Sequence, residues 1–391
     1  MKKKLLFVTW SLTLGGGEAK SVCNILNNLN LDKYEIEVFE LNKGNKEVKI
    51  NNNIKFLKPI VDYTNDNIRN QKIELNRYIK NPKSIKNLFN KNYDCVIACN
   101  RGTTSYISSF IPSLKKIVWI RGSIDNFNIK NNRDEFKKNI ETEKNKQDEI
   151  FYKFDKIVVV SDYLFDSFNK IFPNHKNKLV KIYNSIDPNE IKAKAKENIN
   201  SYESKSNNLI VSVGRLREVK NHKLLIDAVK KLVDNNIDVE LIIIGEGLLK
   251  DELNEYIKKN NLNDYVKLIG FYENPYPIIS QAKLFCLSSI SEGFNLSVSE
   301  ACTLGLPFVS TDVGGTKEIL DKAKCGLIAD WDDNDYATKI YKLLSDENLY
   351  NLFKTNCNIA SSFFSTKELG LNVEKLIDNL FKKEVDSNEL S

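Results

Sequence analysis

Ser289-Ile290-Ser291-Glu292-Gly293-Phe294-Asn295-Leu296-Ser297-Val298-Ser299-Glu300-Ala301-Cys302-Thr303-Leu304-Gly305-Leu306-Pro307 is the stretch that decides the fold. An apolar run ends at Leu287, a short polar loop carries Glu292 and Gly293, and the pattern predicts a helix from about Asn295 or Ser297. Gly305 and Pro307 are placed to end it, because glycine accepts the left-handed backbone past a helix and proline cannot continue one. A strand, loop and helix in this order leave free N–H groups and a positive dipole end just beyond the strand's carboxyl edge. That is a good place for a diphosphate. Glu292 and Glu300, with seven residues between them, would flank it and accept hydrogen bonds from sugar hydroxyls.

The same alternation runs outward in both directions. Downstream of residue 208 the pattern predicts strands at 209–213, 239–244, 265–269, 284–287 and 307–310, with helices at 222–233, 248–259, 275–281 and 296–304 between them. Upstream, apolar runs at Leu5–Thr9, Ile36–Leu41, Ile54–Leu57, Tyr93–Ala98, Lys116–Ile120 and Lys156–Val160 read as buried strands. A helix is predicted from Glu18 to Leu29, with Val22, Ile25, Leu26 and Leu29 on one face. Strands alternating with helices at this spacing imply parallel sheets, and ligands then bind at the strands' carboxyl ends. A chain of 391 residues suits two such domains. The expected division is 1–190 for the first, 191–207 as a Lys/Glu/Asn/Ser-rich linker, 208–364 for the second, and 365–391 as a helix and tail returning to the first. Residues 126–150 are polar and charged throughout, suiting a solvated helix or a flap.

Composition narrows the function classes. The longest apolar runs are strand length, far short of the ~20 residues a bilayer needs. Lys2–Lys4 and Leu5–Val8 imitate a signal peptide, but no small-residue cleavage site follows and Gly15–Gly17 fits a strand-to-helix turn better. The expected location is cytoplasmic, with peripheral contact at the inner face of the cell membrane. Residues 1–190 hold 33 Lys/Arg against 22 Asp/Glu, whereas 191–391 hold 25 against 30. A basic first half suggests an anionic partner, such as phosphates or an anionic membrane surface. No nucleic-acid module is present in the sequence. The seven cysteines (23, 95, 99, 286, 302, 325, 357) form no CxxC pair and read as reduced structural thiols. With only His175 and His222, a His-based metal site is not expected.

Further positions carry candidate chemistry. Gly15-Gly16-Gly17 follows the first strand and opens a helix, so backbone amides could approach phosphate or sugar there. Arg215 and Lys220, after the strand 209–213, are two cations at a strand end, suited to stabilising a departing diphosphate. Asn100, Arg101 and Arg121 also follow strands, in the first half. Asp330-Trp331-Asp332 has the D-x-D spacing of a metal-holding pair, but its polar late loop makes a metal role unexpected.

The run from Ser289 through Pro307, continued by Thr311-Asp312-Val313-Gly314-Gly315 and Glu318, resembles the E-x7-E segment of glycosyltransferase family 4, retaining enzymes of the GT-B fold. Val213-Gly214-Arg215-Leu216 with Lys220-Asn221-His222 resembles that family's diphosphate-facing G-R-L and Lys, and Gly15-Gly16-Gly17-Glu18-Ala19 its G-G-x-E turn. Asn184-Ser185-Ile186-Asp187 is similar to its N-G-I-D, with Ser185 for the usual Gly. Trp119-Ile120-Arg121-Gly122-Ser123 departs from it, since many members place a His after this strand.

The resemblance implies an α/β GT-B fold: two Rossmann-like domains facing across a cleft, with a C-terminal helix returning to the first. It implies a retaining hexosyltransferase. Arg215, Lys220 and Glu292 would be catalytic. Gly16, Gly17, Arg215, Lys220, Gly245, Phe271, Glu292, Gly293, Phe294, Asn295, Leu296, Ser297 and Glu300 would bind the donor. The resemblance also implies that Asn100, Arg101 and Arg121 are acceptor-side candidates. No metal or other cofactor is expected. The implied partners are a nucleotide-sugar donor, most often UDP-linked, and a glycan or lipid-linked acceptor. The stretches Gly245–Gly247, Lys250–Leu253, Leu268–Phe271 and Asn274–Tyr276 look like those of bacterial members that extend lipid-linked oligosaccharides with N-acetylhexosamine. Together with the basic first half this favours a polyprenyl-diphosphate acceptor in cell-surface polysaccharide or glycoprotein glycan assembly. A sugar-nucleotide epimerase of similar fold and a catalytically inert GT-B binding subunit are the rival readings.

Overall fold

The strands that build the core are apolar along their whole length rather than in alternation. Leu5, Leu6, Phe7 and Val8 are all fully buried, as are Leu241, Ile242 and Ile243. A strand buried on both faces needs helices on both sides of its sheet, and parallel pairing supplies them through its crossovers. The computed structural model describes residues 2–64, 67–89, 91–124, 134–197, 202–363 and 366–382.

The chain divides into two compact units. One comprises Met1–Val160, Leu164–Ser185 and Thr366–Ser391, the other Ser161–Tyr163 and Ile186–Ser365. In the first, β1 (Lys3–Thr9), β2 (Tyr34–Glu40), β3 (Lys55–Phe56), β4 (Tyr93–Ala98), β5 (Ser113–Ile120), β6 (Lys156–Val159) and β7 (Leu179–Lys181) form one parallel sheet in the order β3-β2-β1-β4-β5-β6-β7. A two-stranded parallel pair, Asn42–Lys43 with Val61–Asp62, stands apart from it. In the second, β8 (Leu209–Val213), β9 (Glu240–Ile244), β10 (Val266–Gly270), β11 (Leu284–Leu287), β12 (Phe308–Thr311) and β13 (Gly326–Ala329) run β10-β9-β8-β11-β12-β13, again all parallel. Each order reverses direction beside the unit's first strand (β1, β8), the topological switch point at which doubly wound sheets hold ligands.

Helix ends in the second unit follow local rules. The helix His222–Asp234 buries Leu225, Ala228, Val229 and Leu232 on its core stripe. It stops at Asn236, which takes φ 58°, while Asn236 N–H donates to Val233 O and Ile237 N–H to Leu232 O. The helix Lys250–Lys259 ends in the same way at Asn261, and the helix Leu296–Thr303 at Gly305. All three close their last carbonyls through a left-handed residue.

Sequence and structure differ at the seams. The break between units falls at 185/186, and residues 188–194, partly inside the expected linker, are a helix capped by Asp187. The cap accepts from Asn189 N–H and Glu190 N–H at 2.9 and 3.1 Å. The polar stretch 126–150 is helical over Asp134–Phe151, and its residues 126–133 lie outside those described. So do 198–201 of the expected linker, 364–365, and 383–391 of the expected tail.

The helix Thr366–Phe381 belongs to the first unit, as the C-terminal return implied. It buries Leu369, Val373, Leu376 and Ile377 and packs on the helix Gly17–Asn28. Glu374 accepts from Asn30 N–H at 2.7 Å and pairs with Lys33, and Asp378 accepts from the Tyr34 hydroxyl at 3.0 Å. The two helices touch at Gly370, where a Cβ would stand 2.5 Å from Asn28 O. Alanine in mid-helix gains about 1 kcal/mol of propensity over glycine, but overpacking costs about 1–3 kcal/mol and here the obstacle is backbone. Gly370→Ala is therefore expected to lower the unfolding midpoint of the first unit in calorimetry. A raised midpoint would mean that the helices are not in tight contact.

Candidate active site

Three glycines bring the carboxyl ends of β8 and β9 together. A Cβ on Gly245 would lie 1.9 Å from Gly214 O, and one on Gly247 would lie 2.3 Å from Leu216 O. Gly214 N–H donates to Ile244 O and Leu216 N–H to Glu246 O, both at 3.0 Å, so the loops after the two strands run as a zipped pair. Gly214 itself lies under the stem of Lys220, whose Cδ and Cε stand 3.3 Å from where a Cβ would be. The short turn Glu218–Lys220 ends at Asn221, in left-handed conformation at φ 47°.

Lys220 and Glu292 meet at the switch point. Lys220 Nζ stands 2.5 Å from Glu292 Oε1, and both side chains are mostly buried. Ser289 Oγ donates to the same carboxylate oxygen at 2.8 Å, and Ser288 Oγ donates to Lys220 O at 3.0 Å. Ile290 N–H bonds Val219 O, tying the loop after β11 to the loop after β8. Thr311 Oγ1 donates to Ser289 O at 2.6 Å from the end of β12. Gly314, at φ 53°, lies beneath Glu292, where a Cβ would meet the Glu292 Cβ at 2.9 Å. A side chain at 314 would push the carboxylate out of place. A charge pair this well hydrogen-bonded and partly withdrawn from water is strongly oriented.

Arg215 is exposed on the same loop as Lys220. Gly293, Phe294 and Asn295 are buried, whereas Leu296, Ser297 and Glu300 are part-exposed on the helix Leu296–Thr303. Asn295 precedes that helix without capping it. Its Nδ2 donates to Val313 O at 2.8 Å and contacts Thr316 Oγ1, which fastens the helix N-terminus to the loop after β12. Phe294 packs against Gly315, where a Cβ would lie 2.5 Å from its ring. Phe271, after β10, is 60% exposed. The second unit thus gathers Arg215, Lys220, Glu292, Asn295 and the helix N-terminus at one sheet edge.

In the first unit the glycine turn is held by a residue that the sequence did not single out. Glu40, buried at the end of β2, accepts from Leu12 N–H at 2.6 Å and from Thr13 N–H and Thr13 Oγ1 at 3.1 Å. The turn then passes through Gly15 and Gly16, at φ 78° and 105°, into the helix Gly17–Asn28. Asn100 Nδ2 donates to Glu18 Oε2 at 2.6 Å. Burial raises the Glu18 carboxyl above its ordinary range, against the opposing charge of Arg121 and the Asn100 bond. Arg101 donates to Ser123 O at 2.9 Å.

Arg121 turns inward. It is buried, with Nε donating to Cys99 O at 3.0 Å and NH1 to Ser21 Oγ and Asn184 Oδ1, both at 2.6 Å. Those bonds join β4, β5, the glycine helix and the Asn184 segment, so this guanidinium is an internal tie rather than a solvent-facing group. Asp332, in the D-x-D triplet, caps the helix Asp333–Ser345 by accepting from Asn334 N–H and Asp335 N–H. Trp331 Nε1 donates to Ser289 O at 3.2 Å. The seven cysteines are all free, and three of them, Cys302, Cys325 and Cys357, converge in the second unit.

Ser289 and Thr311 lie in the segments that carry the family resemblance, but the sequence assigns them no role there, and it does not single out Glu40 at all. Ser289, three before Glu292, has the spacing at which a hydroxyl and a carboxylate meet across a turn. Thr311 and Glu40 act across long sequence separations and leave no local signal.

The second unit carries the decisive likeness. Residues 193–358 match the model of the glycosyl transferases group 1. The matched residues include Arg215, Lys220, Glu292 and Glu300. A Campylobacter jejuni N-acetylgalactosamine-N,N'-diacetylbacillosaminyl-diphospho-undecaprenol 4-alpha-N-acetylgalactosaminyltransferase is 33% identical over 198 residues, which is 50% of this chain and 52% of that protein. An Escherichia coli UDP-Gal:alpha-D-GlcNAc-diphosphoundecaprenol alpha-1,3-galactosyltransferase is 26% identical over 44% of this chain and 46% of its own. The chain spans about half the length of these curated relatives. Among solved structures, Anabaena HepE in complex with UDP aligns over 97% of this chain and 100% of its own, with TM-score 0.71 and 18% identity. Sucrose-phosphate synthase from Thermosynechococcus elongatus aligns over 97% and 99%, with TM-score 0.78 and 15% identity. These likenesses establish the fold, two Rossmann-like units of the GT-B kind.

His222 opens its helix directly after the Lys220 turn, and burial, helped by the neighbouring Lys220 charge, lowers its pKa to about 4. The unfolded chain takes up this proton near 6.5, whereas the folded ring stays neutral down to about 4. Its contribution is therefore full above the unfolded value and is lost as pH falls toward 4, by roughly 3 kcal/mol. Urea unfolding at neutral pH and near pH 4 should show the wild type losing about that much more stability than His222→Leu. Equal losses would mean that the ring protonates freely in the folded unit.

Proposed function

We propose that this chain is a retaining hexosyltransferase that moves a hexose or N-acetylhexosamine from a UDP-sugar to a glycan or polyprenyl-diphosphate-linked acceptor. The observation that carries this reading is the Lys220–Glu292 pair, held by Ser289 beside the exposed Arg215 at the switch point of a group 1 segment. Lys220 and Arg215 supply two cations where a leaving diphosphate would gather negative charge. Glu292 and Glu300 are acceptors for sugar and ribose hydroxyls, and the N-terminal amides of the helix Leu296–Thr303 face the same edge. The UDP donor is suggested by the HepE complex, and the lipid-linked acceptor by the printed activities of the two bacterial relatives.

In the proposed reaction the acceptor hydroxyl approaches the anomeric carbon on the face the diphosphate leaves. The C–O bond to the acceptor forms as the bond to the diphosphate breaks, and a diphosphate oxygen takes the hydroxyl proton. The protein's part is to position the reactants and stabilise charge. Gly16, Gly17, Asn100 and Arg101 stay candidates for contact with donor or acceptor, while Arg121 acts through the groups it ties. Among the described residues no helix is long and apolar enough to cross a membrane. Contact with an anionic inner membrane face is part of the proposal, resting on the basic first half.

Two measurements test the reading. Incubation with UDP-hexoses and UDP-N-acetylhexosamines, with and without a polyprenyl-diphosphate-linked acceptor, should release UDP from one donor. The product should keep the donor's anomeric configuration by NMR. No release from any donor would favour an inert fold, and a changed sugar without transfer would favour an epimerase. Arg215→Ala and Lys220→Ala are each expected to lower turnover about 100-fold or more while circular dichroism stays unchanged. Wild-type turnover in both would remove the cation role.

A further inference from the structure

Cys302, Cys325 and Cys357 come from three separate elements and bring their sulfurs within 4.8 Å of one another. Cys302 lies on the helix Leu296–Thr303, Cys325 immediately precedes β13, and Cys357 lies on the helix Glu347–Ser362. All three are fully buried, and the Cys302 and Cys325 sulfurs are 3.7 Å apart. Three sulfurs bound in a trigonal plane to one ion at ~2.3 Å would stand about 4.0 Å apart, so the cluster needs little movement to close on a metal. Among the described residues no His, Asp or Glu joins the three.

We propose that these thiols form a three-coordinate site for one thiophilic cation of the copper(I) class. Thiolates select soft ions, and a donor set of three sulfurs with no fourth ligand disfavours zinc, which is almost always four-coordinate in structural sites. Uptake exchanges thiol protons for the cation: each sulfur bonds the ion and its proton leaves to solvent, so binding strengthens as pH rises. A sequence without CxxC pairs gives no hint of this cluster, and it stands independently of the proposed transfer reaction. Its consequence for the fold is a staple between the helix bearing Glu300 and the helix Glu347–Ser362, which already pack together.

The full-length reduced chain would be titrated anaerobically with copper(I) buffered by a competing chelator, both in the native state and during refolding. One tightly held copper(I) per chain is expected, with an X-ray absorption shell of three sulfurs. Cys357→Ser and Cys325→Ser should each weaken uptake by more than the ~10–100-fold that a lost outer-shell contact costs, while Cys95→Ser leaves it unchanged. The absorption shell needs no variant, so poor folding of the serine variants does not rescue or sink the proposal. Uptake equal in Cys357→Ser and wild type, a shell containing nitrogen or oxygen, or zinc bound more tightly than copper(I) would each overturn it.

Discussion

The second unit depends on a backbone contact that tolerates only glycine. Gly245 lies against Gly214 O so closely that any side chain would collide, and Gly247 repeats the arrangement against Leu216 O. Because β8 and β9 finish side by side in this way, the loop carrying Arg215 and Lys220 leaves the sheet in one direction only. The loop after β11 then reaches it through the Ile290–Val219 backbone bond. The site is thus built from the sheet outward, and its charged groups sit on backbone that has little freedom to rearrange.

That rigidity explains why a lysine and a glutamate can be kept in contact without cancelling one another's use. Lys220 has further donors beyond the one given to Glu292, and Glu292 keeps an oxygen besides the one shared with Lys220 and Ser289. Each holds the other in position while presenting spare capacity at the sheet edge. The cost of withdrawing two charges from water is offset by their mutual bond and the serine hydroxyl.

Much of the fold was legible because buried parallel strands are written as unbroken apolar runs, and because Gly305 marks where its helix must stop. The paired asparagines at 235–236 and 260–261 mark two more helix ends by the same left-handed geometry. Lys220 and Glu292 were legible as a pattern, but their contact joins residues 72 apart and no local rule predicts it. The inward ties of Arg121 were illegible for the same reason: sequence places it at a strand end, whereas its partners Ser21 and Asn184 lie 100 and 63 residues away. The three converging thiols were invisible because each reads singly as a small apolar residue in its own segment. The start of the second unit at Ile186 was obscured by a polar composition that suits a linker and a surface helix equally.

The helix Thr366–Phe381 gives the molecule an order of assembly. It completes the first unit, yet it is made only after every residue of the second has been synthesised. During translation the second unit can bury its core once the helices after its last strand, which supply Tyr336, Ile340, Leu343 and Phe353, have emerged. The first must wait, with the face that Leu369, Val373 and Ile377 will cover still open to water. The domain begun first is therefore the one finished last, and the nascent chain carries an exposed apolar seam for most of its synthesis.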